Sequence, residues 1–183
     1  MKRRLAILGA AALGAALASG CASPPTPADY AGQTPAFDLA TYFNGEVTAH
    51  GVFTDRAGKV ARRFTVQLVG RWTGDEGVLD ERFTYSDGKT ERRVWRLKKL
   101  AAPAGTLRYT GTADDVVGTA TGEGAGNAFQ WQYTLRLPVD GKVYEVQFDD
   151  WMFLVGDGVM INRAVMTKFG IRLGEVTLAF TKR

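Results

Sequence analysis

Four charged residues stand where the alternation of apolar and polar residues would turn them inward: Glu81 and Arg93, and Asp150 and Arg163. A charge on a buried face needs a partner, or it neutralises. The first reading is a pair of structural ion pairs, Glu81 with Arg93 and Asp150 with Arg163, that fix strand register. The second is a cavity in which the same groups hold a ligand's polar head, with Trp72, Trp131, Tyr133 and Phe148 as apolar walls. The third is a hydrolase that uses Glu81 and Asp150 as an acid and base pair. Other chemistries are poorly served. His50, the single histidine, has no Cys or His companion, which leaves neither a zinc site nor a Ser-His-Asp triad. Asp149 and Asp150 are adjacent, so on a strand they point to opposite faces and share no metal. No cofactor is implied.

The chain's one cysteine, Cys21, has a different chemistry. Lys2, Arg3 and Arg4 precede an uncharged run from Leu5 to Leu17, and Ala18-Ser19-Gly20 supplies small residues for cleavage, the three-part pattern of a secretory signal. The apolar run is short for a transmembrane helix, which needs about 20 residues. A cysteine directly after the small residues resembles a bacterial lipobox. That resemblance implies cleavage before Cys21 and acylation of its thiol and new amino group. Ala22, rather than Asp, follows the cysteine, which implies sorting to the outer membrane of a Gram-negative cell; the periplasmic face is the expectation, and the sequence leaves the exterior face open. Several acyl chains anchor stably where one does not.

Processing also changes the charge. Without Lys2, Arg3 and Arg4, the 23 basic residues become 20 against 19 acidic ones, a mature charge of +1. A nucleic-acid partner is therefore not expected. The mature chain has no thiol left for a disulfide, so its stability rests on its core. The run from Lys89 to Lys99 carries six positive charges in eleven residues. On a strand such a run reads as a solvated face, with contact to anionic headgroups as the alternative.

The elements that position these residues follow from composition. Residues 1–20 are the signal peptide. Residues 21–36 hold Pro24, Pro25, Pro27 and Pro35 without apolar periodicity, and read as a lipidated tether that reaches up to about 45 Å at ~3.1 Å per residue. Residues 37–183 form one domain. There, short alternating segments are separated by Gly-containing turns with no helical period, which predicts an all-β, antiparallel, up-and-down, lipocalin-like barrel of about ten strands.

Register follows from turns. Asp140-Gly141 predicts a two-residue hairpin that sets Leu137 opposite Tyr144, Leu135 opposite Val146, Tyr133 opposite Phe148, Trp131 opposite Asp150 and Phe129 opposite Met152. Asp157-Gly158 predicts Met152 opposite Arg163, which places Arg163 diagonal to Asp150 on the inward face. A three-residue loop over Ser86-Asp87-Gly88 sets Glu81 opposite Arg93 and Leu79 opposite Trp95. A four-residue loop from Asp55 to Gly58 sets Ala49 opposite Phe64 and Gly51 opposite Arg62. The Gly-rich stretch from Gly118 to Asn127 predicts a sharp bend or close packing against its backbone.

Phe37-Asp38-Leu39-Ala40-Thr41-Tyr42-Phe43, Glu81-Arg82-Phe83, Gly126-Asn127, Phe148-Asp149-Asp150-Trp151-Met152, Ile161-Asn162-Arg163 and Met166-Thr167-Lys168-Phe169-Gly170 together resemble a family of proteobacterial lipoproteins known only as a domain of unknown function. The resemblance implies the fold class and the envelope location, and carries no established activity or site. Gly70-Arg71-Trp72 is similar to the Gly-x-Trp of lipocalins but follows a long second strand, so that likeness is architectural at best.

Three function classes result. A non-enzymatic envelope lipoprotein that acts through its surface on another envelope protein is the first expectation, and it predicts a filled interior with both ion pairs closed. A binder of a lipid or other hydrophobic small molecule predicts a cavity of at least about 300 Å³ bounded by Trp131, Tyr133, Phe148 and Trp72. A hydrolase requires Glu81 and Asp150 to converge on open solvent.

Overall fold

The computed structural model describes residues 23–182, so the signal segment and Cys21 lie outside the described residues. Ten antiparallel strands run up and down around one closed barrel: β1 (Gly45–Asp55), β2 (Val60–Thr73), β3 (Glu76–Tyr85), β4 (Thr90–Leu100), β5 (Thr106–Thr112), β6 (Ala120–Ala125), β7 (Ala128–Val139), β8 (Lys142–Gly156), β9 (Val159–Lys168) and β10 (Ile171–Lys182). Each strand pairs with its sequence neighbours, and β10 closes onto β1. Closure leaves no unpaired sheet edge. The expected strand count and topology are those observed.

Alternation puts Val66 and Leu68 of β2, Trp95 and Leu97 of β4, Phe129 and Trp131 of β7, and Met160 of β9 inside. Barrel diameter grows with strand number, and eight strands already leave an interior just wide enough for side chains. A ten-stranded barrel needs something more to fill it. At one end that filling is the segment ahead of β1. Phe37 and the short helix α1 (Leu39–Tyr42) cross the barrel base, and Phe37, Leu39, Tyr42 and Phe43 are all buried there.

The plug is fastened by polar contacts. The Phe37 N–H donates to Gly126 O at 2.8 Å, the Tyr42 hydroxyl to Gly158 O at 2.9 Å, and Lys182 Nζ to Thr41 O at 2.7 Å. Asp38 caps α1 by accepting from the Thr41 N–H at 2.8 Å, and its other oxygen accepts from Lys99 Nζ at 2.7 Å and the Tyr109 hydroxyl at 2.9 Å. Burial alone would raise the Asp38 pKa, but these donors outweigh it and hold the carboxyl below its ordinary value. The carbonyl of Phe43 sits where a side chain on Gly70 would have to go, so only glycine admits the plug at that point.

The Pro-rich segment is not a free tether over its whole length. Pro27–Tyr30 form a 3-10 turn, and the Tyr30 ring packs on the outer wall against Trp151 at 5.8 Å and Phe153 at 5.3 Å between centroids. The expected reach of about 45 Å is therefore shortened, because the stretch from Pro27 onward follows the barrel surface.

Register agrees with the sequence at β7–β8, where all five expected pairs occur, and at β3–β4, where Glu81 faces Arg93 and Leu79 faces Trp95. It differs at β1–β2, where Ala49 faces Val66 and Gly51 faces Phe64. There the turn closes from Asp55 to Lys59, and a bulge leaves Ala61 unpaired between the partners of Phe53 and Thr54. Two single-residue shifts restore the original parity, so the same side chains point inward. In the Gly-rich stretch the close-packing reading holds. Gly122 lies against the rings of Phe129 and Trp131, with no room for a Cβ.

Candidate functional site

The plug fills only the base. Toward the opposite end, where the β1–β2, β3–β4, β7–β8 and β9–β10 hairpins turn, the barrel encloses a cavity of about 610 Å³. This is within the usual size of small-molecule sites. Its floor is formed by Leu39 and Phe43 of the plug, and its walls include Phe64, Phe83, Trp95, Trp131, Tyr133 and Phe148. The rings brace one another. Tyr133 and Phe148 stack at 5.0 Å with 2° between planes, and Trp95 meets Trp131 edge-on at 5.7 Å and Tyr133 at 5.4 Å. Interlocked aromatic side chains of this kind hold a preformed apolar surface.

Polar groups enter this surface from two sides. From β3 and β4, Glu81 and Arg93 face each other with Arg93 Nη1 at 4.0 Å from the carboxylate. The closer partner of Arg93 is Asp115, from the loop between β5 and β6, whose carboxylate accepts from Nε at 2.9 Å and lies 2.8 Å from Nη2. Burial pushes the Glu81 carboxyl up to about 7, and the nearby Arg93 charge offsets only part of that. Arg93 itself is held above its usual range, because Tyr133, Glu81 and Asp115 outweigh the burial that opposes its charge.

From β8 and β9, Asp150 and Asn162 form the second polar pair, with Asn162 Nδ2 donating to Asp150 Oδ1. Both are buried, Asp150 at 8% and Asn162 at 2% exposure. Burial also pushes the Asp150 carboxyl up to about 7. The Asn162 donor and Arg93 pull it down, while the charges of Glu81 and Asp149 push it further up. Tyr133, diagonal to Asp150 across β7–β8, has its phenol pKa raised by burial and then by Asp150. Asn162 Oδ1 is buried without a hydrogen-bond partner.

The rim carries its own charges in balanced form. Arg62 stands 3.5 Å from Asp87 and lies 4.0 Å above the Tyr85 ring, Lys89 is 3.6 Å from Asp87, and the Tyr85 hydroxyl donates to Glu91 at 2.8 Å. The Lys89–Lys99 run is split by alternation. Arg92 points outward to Asp80 at 2.8 Å, while Arg93 and Trp95 enter the lumen.

Glu81, Arg93, Trp131, Tyr133, Phe148 and Asp150 thus share one cavity, as the sequence anticipates. Two of the eight candidate ligand-contact residues do not. Arg163 lies on the outer face opposite Trp151 and pairs with Glu175 at 2.8 Å. The cause is a bulge at Val155, one extra residue in β8 that shifts the β8–β9 register and turns Asn162 inward in its place. The expected Asp150–Arg163 pair is therefore replaced by Asp150–Asn162. Trp72 is inside the barrel but at the base, edge-on to Tyr109 at 6.0 Å and covered by Gly77, so it does not bound the cavity. Asn162 and Asp115 were missed. The first depends on the bulge, and the second sits in a loop where alternation gives no direction.

Comparison with known proteins adds a family and a fold likeness. Residues 15–182 match a family described as "Protein of unknown function (DUF3833)". No curated protein matches the chain. A designed protein described as "De novo design of a fluorescence-activating beta barrel" is similar with a TM-score of 0.42 and 13% sequence identity, covering 80% of this chain and 99% of its own.

Proposed function

This chain belongs to the DUF3833 family of proteins of unknown function, and from that premise we propose that it is a non-enzymatic binding protein that holds a hydrophobic small molecule inside its barrel. The observation that carries the reading is the cavity of about 610 Å³ with braced aromatic walls. A barrel whose role lay only in its outer surface would gain stability from a filled interior, since each unfilled methyl-sized void costs on the order of 1 kcal/mol. An empty half-barrel is retained at a cost, and ligand burial offsets it.

The signal segment and Cys21 support an anchored lipoprotein of the outer membrane as the setting, with the periplasm as the compartment that the barrel samples. The docked segment from Pro27 to Phe43 closes the base, so a chain anchored through Cys21 enters at the plugged side of the barrel. Palmitate labelling that is lost in Cys21→Ser tests the anchor. Native mass spectrometry of the protein released gently from membranes tests the cargo. A bound hydrophobic species whose occupancy falls in Trp131→Ala is the expected result, and an unoccupied barrel that takes up no added amphiphile overturns the reading.

A further inference from the structure

The balance of charge inside the cavity bears on what kind of head group the ligand has. Two carboxyl groups, Glu81 and Asp150, line the cavity around one guanidinium, Arg93, and a third, Asp115, reaches Arg93 from the loop between β5 and β6. Arg93 is already engaged, with Asp115 across its Nε and Nη2 and Glu81 beside its Nη1. An incoming carboxylate or phosphate would find no free cation there and would meet Asp150 as a like charge. Nor does the rim supply an anion funnel, because Arg62 and Lys89 are matched there by Asp87 and Glu91.

Asp150 is the group left over. Its neighbours are Trp131 directly opposite on β7, Tyr133 diagonal to it, and Phe148 two residues away on the same face of β8. Ala164 and Asn162 cover it from β9, and Glu81 and Arg93 face it from β3 and β4. Its one hydrogen bond from a described side chain comes from a neutral amide, Asn162 Nδ2. Arg93 is the cation nearest to it in effect, and Arg93 is held by Asp115. A buried carboxyl whose one side-chain donor is a neutral amide is costly when empty and calls for a partner that carries positive charge. The faces of Trp131, Tyr133 and Phe148 carry the negative side of the aromatic quadrupole, which favours the same partner.

We infer that the ligand of this cavity bears an ammonium group at its polar end, and that Asp150 receives its charge. The inference rests on the proposed binding role of the same cavity and names the class of molecule that fits it: an alkyl or aryl amine, with the apolar body along the aromatic wall.

The test uses the full chain in nanodiscs of zwitterionic lipid, titrated with octylamine, octanol and octanoate and corrected for empty nanodiscs, with tryptophan fluorescence as the readout. At pH 8.5 octylamine is expected to bind at least tenfold more tightly than octanol, and octanoate more weakly than both. Asp150→Asn is expected to erase the amine preference. In the unaltered chain the preference is expected to shrink at pH 5.5, where protonation removes the Asp150 charge. Octanoate binding as well as octylamine, a preference that survives Asp150→Asn, or a preference equal at both pH values overturns the ammonium assignment and leaves the binding role standing. Failure of all three probes to bind overturns the binding role itself, and the assignment with it.

Discussion

The two ends of this barrel are built from the same strands and treat the same residue type in opposite ways. At the base, Asp38 accepts from Thr41, Lys99 and Tyr109, and its carboxyl is held below the ordinary value. In the mouth half, Glu81 and Asp150 are more deeply buried with fewer donors, and both are pushed up to about 7. Likewise, the aromatic side chains at the base interlock with a plug, Phe43 against Tyr42 at 5.1 Å and Phe180 at 5.8 Å, while those of the upper half line open space. Buried polar atoms without partners occur at both ends, Trp72 Nε1 and Asn127 Oδ1 toward the base and Asn162 Oδ1 in the mouth half, so what sets the mouth half apart is its raised carboxyls and its unfilled volume. Buried carboxyls of raised pKa in a preformed cavity are the mark of a site rather than of a core.

The contrast can be broken at the base first. Phe43→Ala removes the centre of the plug and is expected to cost about 3–5 kcal/mol in urea unfolding, the range for large aromatic truncations in a core. An unchanged midpoint would show that the plug is not structural.

Removing the mouth carboxyls should act in the opposite direction. Each has a folded pKa raised above its unfolded value, so the folded state binds protons more readily, and stability falls as pH rises from about 4 to about 7. Glu81→Gln and Asp150→Asn are each expected to flatten that fall and to gain on the order of 2 kcal/mol at pH 8, since a tenfold difference in proton affinity between the folded and unfolded states is worth ~1.4 kcal/mol. Thermal unfolding at pH 5 and pH 8 checks this, and a loss of stability in both variants at pH 8 would place these groups among the structural ones.

Asp38→Ala should behave as a base residue, with a loss of about 1–2 kcal/mol at pH 7 from the cap and its partners. Because the Asp38 pKa is depressed, its contribution is present at neutral pH and lost as pH falls through and below the ordinary carboxylate range, so variant and parent should converge in acid. The smallest effect belongs to Arg163→Ala. Its pair with Glu175 is on the surface, worth less than about 1 kcal/mol, and octylamine binding should not change. A loss of binding in that variant would restore Arg163 to the site.

What was legible in the sequence followed from turns and clean alternation. The β7–β8 hairpin was readable to the residue because Asp140-Gly141 sets a two-residue turn and every second residue from Phe129 to Leu137 is apolar. The next hairpin was not, because Trp151-Met152-Phe153-Leu154-Val155 is apolar at every position and alternation cannot report an extra residue there. Met152 and Leu154 face the interior and Trp151 and Phe153 pack against Tyr30 on the outside, so apolar side chains are favoured on both faces. At β1–β2 the sequence-based register was two residues off and yet put the right side chains inside, since side-chain direction depends only on parity.

The sequence by itself determined the all-β class, the ten strands and six of the eight side chains expected to meet in the cavity. These depend on local patterns: period-two alternation, turn chemistry and short motifs. Only the tertiary structure decided that the interior is plugged at one end and hollow at the other, that Asn162 rather than Arg163 stands beside Asp150, and that Asp115 takes Arg93 away from Glu81. Those outcomes depend on a single bulge, on a loop and on how much volume ten closed strands enclose. Each is a non-local consequence of closure, to which the sequence between two turns is blind.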